Sequence, residues 1–129
     1  MVVGGRADAP HLPRPAPIDA YGDGGFRFGG MSHRGSLLCL PDGIWAWPVS
    51  DVAGLTEAAL SGVFDRAESL DFFLIGAGRD PWALPDNLRQ RFRELGLSVD
   101  AMATGAAVRT YNILLAENRR VGAGLIAVF

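Results

Sequence analysis

From Ile18 onward, short apolar runs alternate with glycine-rich breaks. Residues 18–21 form a candidate strand, and Gly22-Asp23-Gly24-Gly25 is a turn by composition. Phe26, Arg27 and Phe28 alternate apolar and charged, as a half-buried strand does, until Gly29-Gly30 breaks the run. Residues 36–40 give a third strand. Pro41-Asp42-Gly43 is a strong turn signal, and residues 44–47 give a fourth strand ending at Pro48. Strands this short, joined by tight turns, predict an N-terminal β-meander.

The period then changes. Leu60, Val63, Phe64 and Ala67 fall at helical spacing, with Thr56 placed to cap the helix. Phe72-Phe73-Leu74-Ile75 is a continuous apolar run, the mark of a strand covered on both faces. Gly76-Ala77-Gly78-Arg79-Asp80 ends it. Pro85 suits the first turn of a second helix; Leu88, Phe92 and Leu95 line one side of it, and Gly96 closes it. Residues 97–102 predict another strand. Thr104 is expected to cap a third helix striped by Val108, Tyr111 and Leu115, and residues 121–129 form a last, very apolar strand. Strand, helix, strand, helix, strand at this spacing implies parallel strands with right-handed crossovers. The fold class is therefore α/β: a layered domain with a mixed β-sheet, an N-terminal β-meander and crossover helices. It is expected to occupy residues 18–129, behind a flexible arm at 1–17 rich in Pro, Gly and Ala.

Composition narrows the function classes. The chain of 129 residues is long enough to bury a core without disulfides or metals. A net charge of −2 gives no basic field for nucleic acid or anionic lipid. All the basic residues are arginine, which rules out a P-loop lysine and a Schiff-base lysine. No apolar run reaches the roughly eighteen residues of a membrane span, and residues 1–17 lack a signal-peptide pattern, so direct membrane insertion is not expected and the compartment expected is the cytoplasm. Cys39 is the only cysteine and sits in an apolar run, where a buried small hydrophobe is expected. Two histidines without a carboxylate motif do not make a metal site, and no cofactor is expected.

Chemistry has one natural place. The loop at Gly76, Gly78, Arg79 and Asp80 and the start of the third helix at Thr104 follow the carboxyl ends of two strands that should be parallel, the usual ligand crevice of open α/β sheets. Helix-start N–H groups with Arg79 and Arg109 suit an anion. Against this, Pro81 stands where a dinucleotide fingerprint needs its third glycine, and the glycines are equally explained as sharp turns. Asp80 and Arg109 are also explained as a structural ion pair joining the loops. Tyr111 and Asn112 complete a polar cluster, with Asn112 placed to anchor a loop. No nucleophile–base pair stands above background, so an enzyme is the less favoured reading. Trp45 and Trp47 project to one side of their strand; they are either core or, with Phe26 and Phe28, anchors for a protein partner.

Several blocks, in order, carry a resemblance: Ile18-Asp19-Ala20-Tyr21-Gly22-Asp23-Gly24-Gly25-Phe26-Arg27-Phe28, Gly35-Ser36-Leu37-Leu38, Gly43-Ile44-Trp45-Ala46-Trp47, Leu74-Ile75-Gly76-Ala77-Gly78-Arg79, and Thr104 through Leu114. Together they resemble a domain family of unknown biochemical activity whose members include the mitochondrial complex I assembly factor three and an adipogenesis-associated human protein. The resemblance covers roughly residues 18 to 128 and implies a small three-layer fold. It also implies a protein-binding, assembly-factor-like role with another protein as partner, either a second assembly factor or a subunit of a membrane complex. No mitochondrial presequence is read in the arm, so the resemblance is to a bacterial member. A homo-oligomer is compatible with everything above.

Overall fold

Glycine sets the geometry of the first strands. In the computed structural model, which describes residues 9–129, β1 (Ile18–Gly22) and β2 (Gly25–Phe28) form a hairpin across Asp23-Gly24. Both turn residues have positive φ, 51° and 80°, the condition for the tight turn that matches strand twist. Gly29-Gly30 repeats this, with φ of 55° and 78°, and returns the chain as β3 (Met31–Arg34). The result is a small antiparallel sheet with Ile18, Phe26 and Phe28 turned into the core and Ala20, Arg27 and Ser32 exposed.

The main sheet is mixed. Its strands are β4 (Ser36–Leu40), β5 (Gly43–Trp47), β6 (Phe72–Gly76), β7 (Ser98–Met102) and β8 (Val121–Leu125), in the order β5-β4-β8-β6-β7. β6 runs parallel to both β7 and β8, while β4 runs antiparallel to β8 and β5. The helices are α1 (Ser61–Phe64), α2 (Asp86–Glu94) and α3 (Thr104–Ala116). Strand alternation divides the core in two. Leu37, Cys39, Leu74 and Leu125 face α3 and the small sheet; Leu38, Leu40, Phe73 and Ile75 face α2 and the segment around α1. The three layers follow from these two apolar faces.

β8 is central and buried throughout, and two of its five residues are glycine. They make room for neighbours. A Cβ at Gly124 would stand 2.5 Å from the Trp47 ring, and one at Gly122 would press on Phe73 and Leu40 at 3.1 and 3.2 Å. Trp47 thus lies flat over the middle of the sheet, its Nε1–H donating to the Ala59 carbonyl at 3.1 Å.

Four expectations change. The meander does not form one sheet: β4 and β5 join the main sheet, and β3 is an added strand. Met31-Ser32-His33-Arg34 has a single apolar residue and so carries no alternation signal; the Gly29-Gly30 turn pairs it with β2. The helix over 60–67 shrinks to α1 and a 3-10 turn, although Leu60 and Val63 are buried as their spacing requires and Thr56 does accept the Ala59 N–H at 3.2 Å. The last strand ends at Leu125 rather than at residue 129. Finally, residues 1–8 of the expected arm lie outside the described residues, while its remainder is part of the fold. Leu12 is buried, the His11 N–H bonds to the Ile44 carbonyl at 2.8 Å, and the Ile44 N–H bonds to the Leu12 carbonyl at 2.9 Å. A proline-rich composition disguised a stretch that caps the edge of β5.

Packing over β8 yields a test. Gly124→Ala forces the Trp47 ring off its seat and is expected to destabilise the protein by about 1–3 kcal/mol, the usual cost of overpacking. Urea denaturation reads the shift in midpoint, and an unchanged midpoint contradicts the packing described.

Candidate functional site

The carboxyl ends of β6 and β7 stand side by side, Gly76 opposite Met102. Around them three segments are laced together by backbone bonds. The Ala77 N–H reaches the Met102 carbonyl at 2.7 Å, the Thr104 N–H the Gly78 carbonyl at 2.8 Å, and the Ile126 N–H the Gly76 carbonyl at 2.9 Å. Thr104 closes the junction. Its hydroxyl donates to the Ile126 carbonyl at 2.7 Å and accepts the Gly78 N–H at 2.9 Å, and the residue is fully buried. Gly76 must be glycine here, since a Cβ would stand 3.0 Å from the Thr104 Cα. The expected capping role of Thr104 is therefore corrected. Ala103 is the N-cap, no side chain caps this helix, and the Thr104 hydroxyl bonds away from the helix to two other segments.

The polar cluster on α3 is equally committed. Asn112 grips both backbone groups of Ile18: Oδ1 accepts its N–H and Nδ2 donates to its carbonyl, each at 2.8 Å. The side chain is an anchor, but it holds the first residue of β1 where a loop was expected. Tyr111 is fully buried in the core with the Cys39 thiol beside it, and its hydroxyl has no hydrogen-bond partner among the described residues. Burial pushes both groups up, the Cys39 thiol to about 12 against the smaller opposing effect of Tyr111. Cys39 is thus a protonated, inert core residue.

The charged residues lie outside. Arg79, Asp80 and Arg109 are exposed. Arg79 donates to the Phe129 carbonyl, and no ion pair links Asp80 with Arg109 among the described residues, which corrects that expectation. Arg109 instead lies near Gly105, whose Cα is covered by the Tyr21 hydroxyl. Residues 126–129 pass between the loops. They leave an open hollow of about 300 Å³ lined by Ser50, Asp51, Gly78 and Arg79 with this tail. Of the eight residues expected around one crevice only Gly78 and Arg79 line it; Gly76, Asp80, Thr104, Arg109, Tyr111 and Asn112 do not, and the set is divided between the interior and the surface.

The expected aromatic anchors are mostly core. Phe26, Phe28 and Trp47 are buried, so their rings are closed to a partner. Trp45 is half-buried, with the Arg66 guanidinium 5.0 Å above its ring. Among the described residues the exposed large apolar ones are Tyr21, Ile113 and Phe129, at 43%, 59% and 78%. Tyr21 precedes the β1–β2 turn, and the Phe129 ring packs on Gly24 within it. Sequence reading places Tyr21 and Phe129 inside strands and Ile113 in the third helix; the early end of β8 frees Phe129.

Sequence reading also missed a histidine pair. His11 Nε2 and His33 Nδ1 are 3.1 Å apart, and His33 Nε2 is 3.1 Å from the Ser36 carbonyl. A carbonyl only accepts, so Nε2 of His33 carries a proton and Nδ1 accepts from His11 when both rings are neutral. Burial, then His11, lowers the His33 pKa, the Ser36 carbonyl opposing them. Among the described residues no group of three or more His, Cys, Asp or Glu is placed to hold a metal ion, and no helix is long and apolar enough to cross a membrane.

Two tests follow. Thr104→Val keeps the shape but orphans the Gly78 N–H and the Ile126 carbonyl. At about 1–3 kcal/mol for each buried unpaired group, a loss of about 2–6 kcal/mol is expected by chemical denaturation, with Thr104→Ser close to wild type. The folded state disfavours protonated His33, so this group's contribution is present above the ordinary histidine pKa and lost as pH falls below it. In an NMR titration His33 should have a midpoint below the ordinary 6.5, rising in His11→Ala; a midpoint unmoved by that substitution contradicts the coupling.

Comparison with known proteins places this geometry. An uncharacterized protein of Rhodobacter capsulatus is 41% identical over 111 residues, covering 85% of this chain and 83% of its own. A crystal structure described as an outer membrane protein from Bartonella henselae superposes with a TM-score of 0.88 at 48% identity, covering 92% of this chain and all of that one. The human NADH dehydrogenase [ubiquinone] 1 alpha subcomplex assembly factor 3 is 29% identical over 109 residues, covering 84% of this chain, and the match spans 59% of the human protein's length. The model of the family "Protein of unknown function (DUF498/DUF598)" matches residues 18–126, from the first residue of β1 to just past β8. The chain belongs to this family, whose members include complex I assembly factors.

Proposed function

We propose that the chain is a non-catalytic, protein-binding assembly factor that assists the building of respiratory complex I in the cytoplasm, with another assembly factor or a complex subunit as partner. The observation that carries this reading is the commitment of Thr104 to internal hydrogen bonds at the place where an α/β protein would hold a substrate, with Asn112 likewise committed to Ile18 further along α3. A site whose polar side chains tie the scaffold offers a rigid surface for a partner. The relatives named as NADH dehydrogenase assembly factors support the choice of complex. Tyr21 and Phe129, exposed beside the β1–β2 turn, are the aromatic contacts this reading offers in place of Phe26, Phe28 and Trp47, with Trp45 as a half-buried third.

A second reading keeps Arg79 as the anion contact of the hollow beside Gly78 and Asp51. The Asp51 carboxylate on its wall, which accepts the Ala53 N–H at 3.0 Å, disfavours an anion there.

Deleting the gene in a host that makes complex I tests the proposal. The amount of assembled complex on native gels, and NADH-driven quinone reduction by its membranes, should fall several-fold and return with the wild-type gene. Normal levels in the deletion strain overturn the assembly role.

A further inference from the structure

The main sheet has two edges, and the chain treats them differently. At β5 the edge is covered, because Leu12 bridges to Ile44. At the other end β7 pairs, among the described residues, only with β6, and they leave its outer row of backbone donors and acceptors open. An uncovered edge is a template for another strand unless something blunts it. β7 carries one charge, Asp100, and no proline.

We propose that the free edge of β7 docks an extended, acidic segment of a partner protein, which adds to the sheet as a further strand. This rests on the protein-binding reading above and names the partner's chemistry. The first support is a groove beside the edge. Hollows of about 330 and 130 Å³ lie along β7 on the α2 side; both are lined by Arg89 and Val99, so they adjoin. Strand alternation, and the packing of Val99 and Ala101 against the α2-side core, puts these two residues on that face. An added strand would set every second side chain into the groove.

The second support is charge. Arg89 and Arg93 stand one turn apart on α2 and are exposed. Neither has a carboxylate partner among the described residues; Arg89 reaches only the Leu84 carbonyl, at 3.4 Å. Arg91 on the same helix, by contrast, pairs with Glu57 and Glu94. The larger hollow is thus flanked by two unneutralised guanidinium groups suited to carboxylates on alternate residues of an incoming strand, while the smaller one, lined by Arg89 and Asp100, is charge-balanced. The same geometry argues against a second copy of this chain. Antiparallel self-pairing centred on β7 sets Asp100 against its own copy, and like charges directly opposite are destabilising.

Amide hydrogen exchange followed by NMR tests this with two peptides, (Glu-Thr)4 and (Lys-Thr)4. With the acidic peptide at ten times its Kd, exchange at β7 should slow about tenfold. The basic peptide should give no protection. Arg89→Glu/Arg93→Glu should abolish the effect, its melting curve unchanged because both side chains are exposed. Equal protection by both peptides, protection by neither, or protection confined to the exposed face of the small sheet overturns the proposal. Protection of β7 that grows with protein concentration alone overturns it in favour of self-pairing. The double variant also separates this inference from the assembly role: full restoration of complex I in the deletion strain removes the β7 site and leaves that role standing.

Discussion

One hydroxyl holds the layers in register. Thr104 sits where the loop after β6, the start of α3 and the segment after β8 meet, and it bonds to two of them from within the third. No water reaches it, so each bond is worth more than its exposed equivalent and each is costly to leave unmade. Fixing the first residue of α3 fixes the helix that follows. Two turns on, Asn112 holds both backbone groups of Ile18 and so docks the small sheet onto α3. A chain of contacts thus runs from the middle of the main sheet to the outermost strands.

Close approach makes this possible. Gly76 lets Thr104 lie against the end of β6, and Gly122 and Gly124 let large side chains cross the middle of β8. Glycine weakens a strand through its backbone entropy and missing side chain. In β8 that weakness is offset by burial on both faces and by hydrogen-bonded neighbours on both sides. The price is intolerance: a methyl group at Gly124 meets an indole held by its own hydrogen bond.

Much of the fold was legible because burial leaves a mark on composition. The apolar run of β6, the Leu88 and Phe92 stripe of α2 and the Val108 and Tyr111 stripe of α3 point to buried elements whatever they pack against. Pairing was not legible in the same way. Nothing local says that β4 leaves the meander to join β8, eighty-odd residues further on, or that the proline-rich stretch around Leu12 covers β5. At the candidate site, residue types were read more reliably than their directions. A threonine before a helix looks the same whether its hydroxyl caps that helix or bonds elsewhere, and the two bonds of Thr104 span 22 and 26 residues. Asn112 was recognisable as an anchor because asparagine gains little inside a helix, but its target is 94 residues away. The histidine pair joins positions 22 apart, and the residues around each gave no hint of the other.

On the proposed function, the carboxyl-end loops of the parallel strands hold the scaffold together rather than a small ligand. Thermal melting against a broad panel of nucleotides, phosphates and carboxylates, on wild type and Arg109→Ala, tests it most directly. The account predicts a melting temperature that no compound moves in either protein. A compound that stabilises the wild type by about 2.7 kcal/mol at one hundred times its Kd, and does so less in Arg109→Ala, would contradict it and return the loops to the role of a binding site.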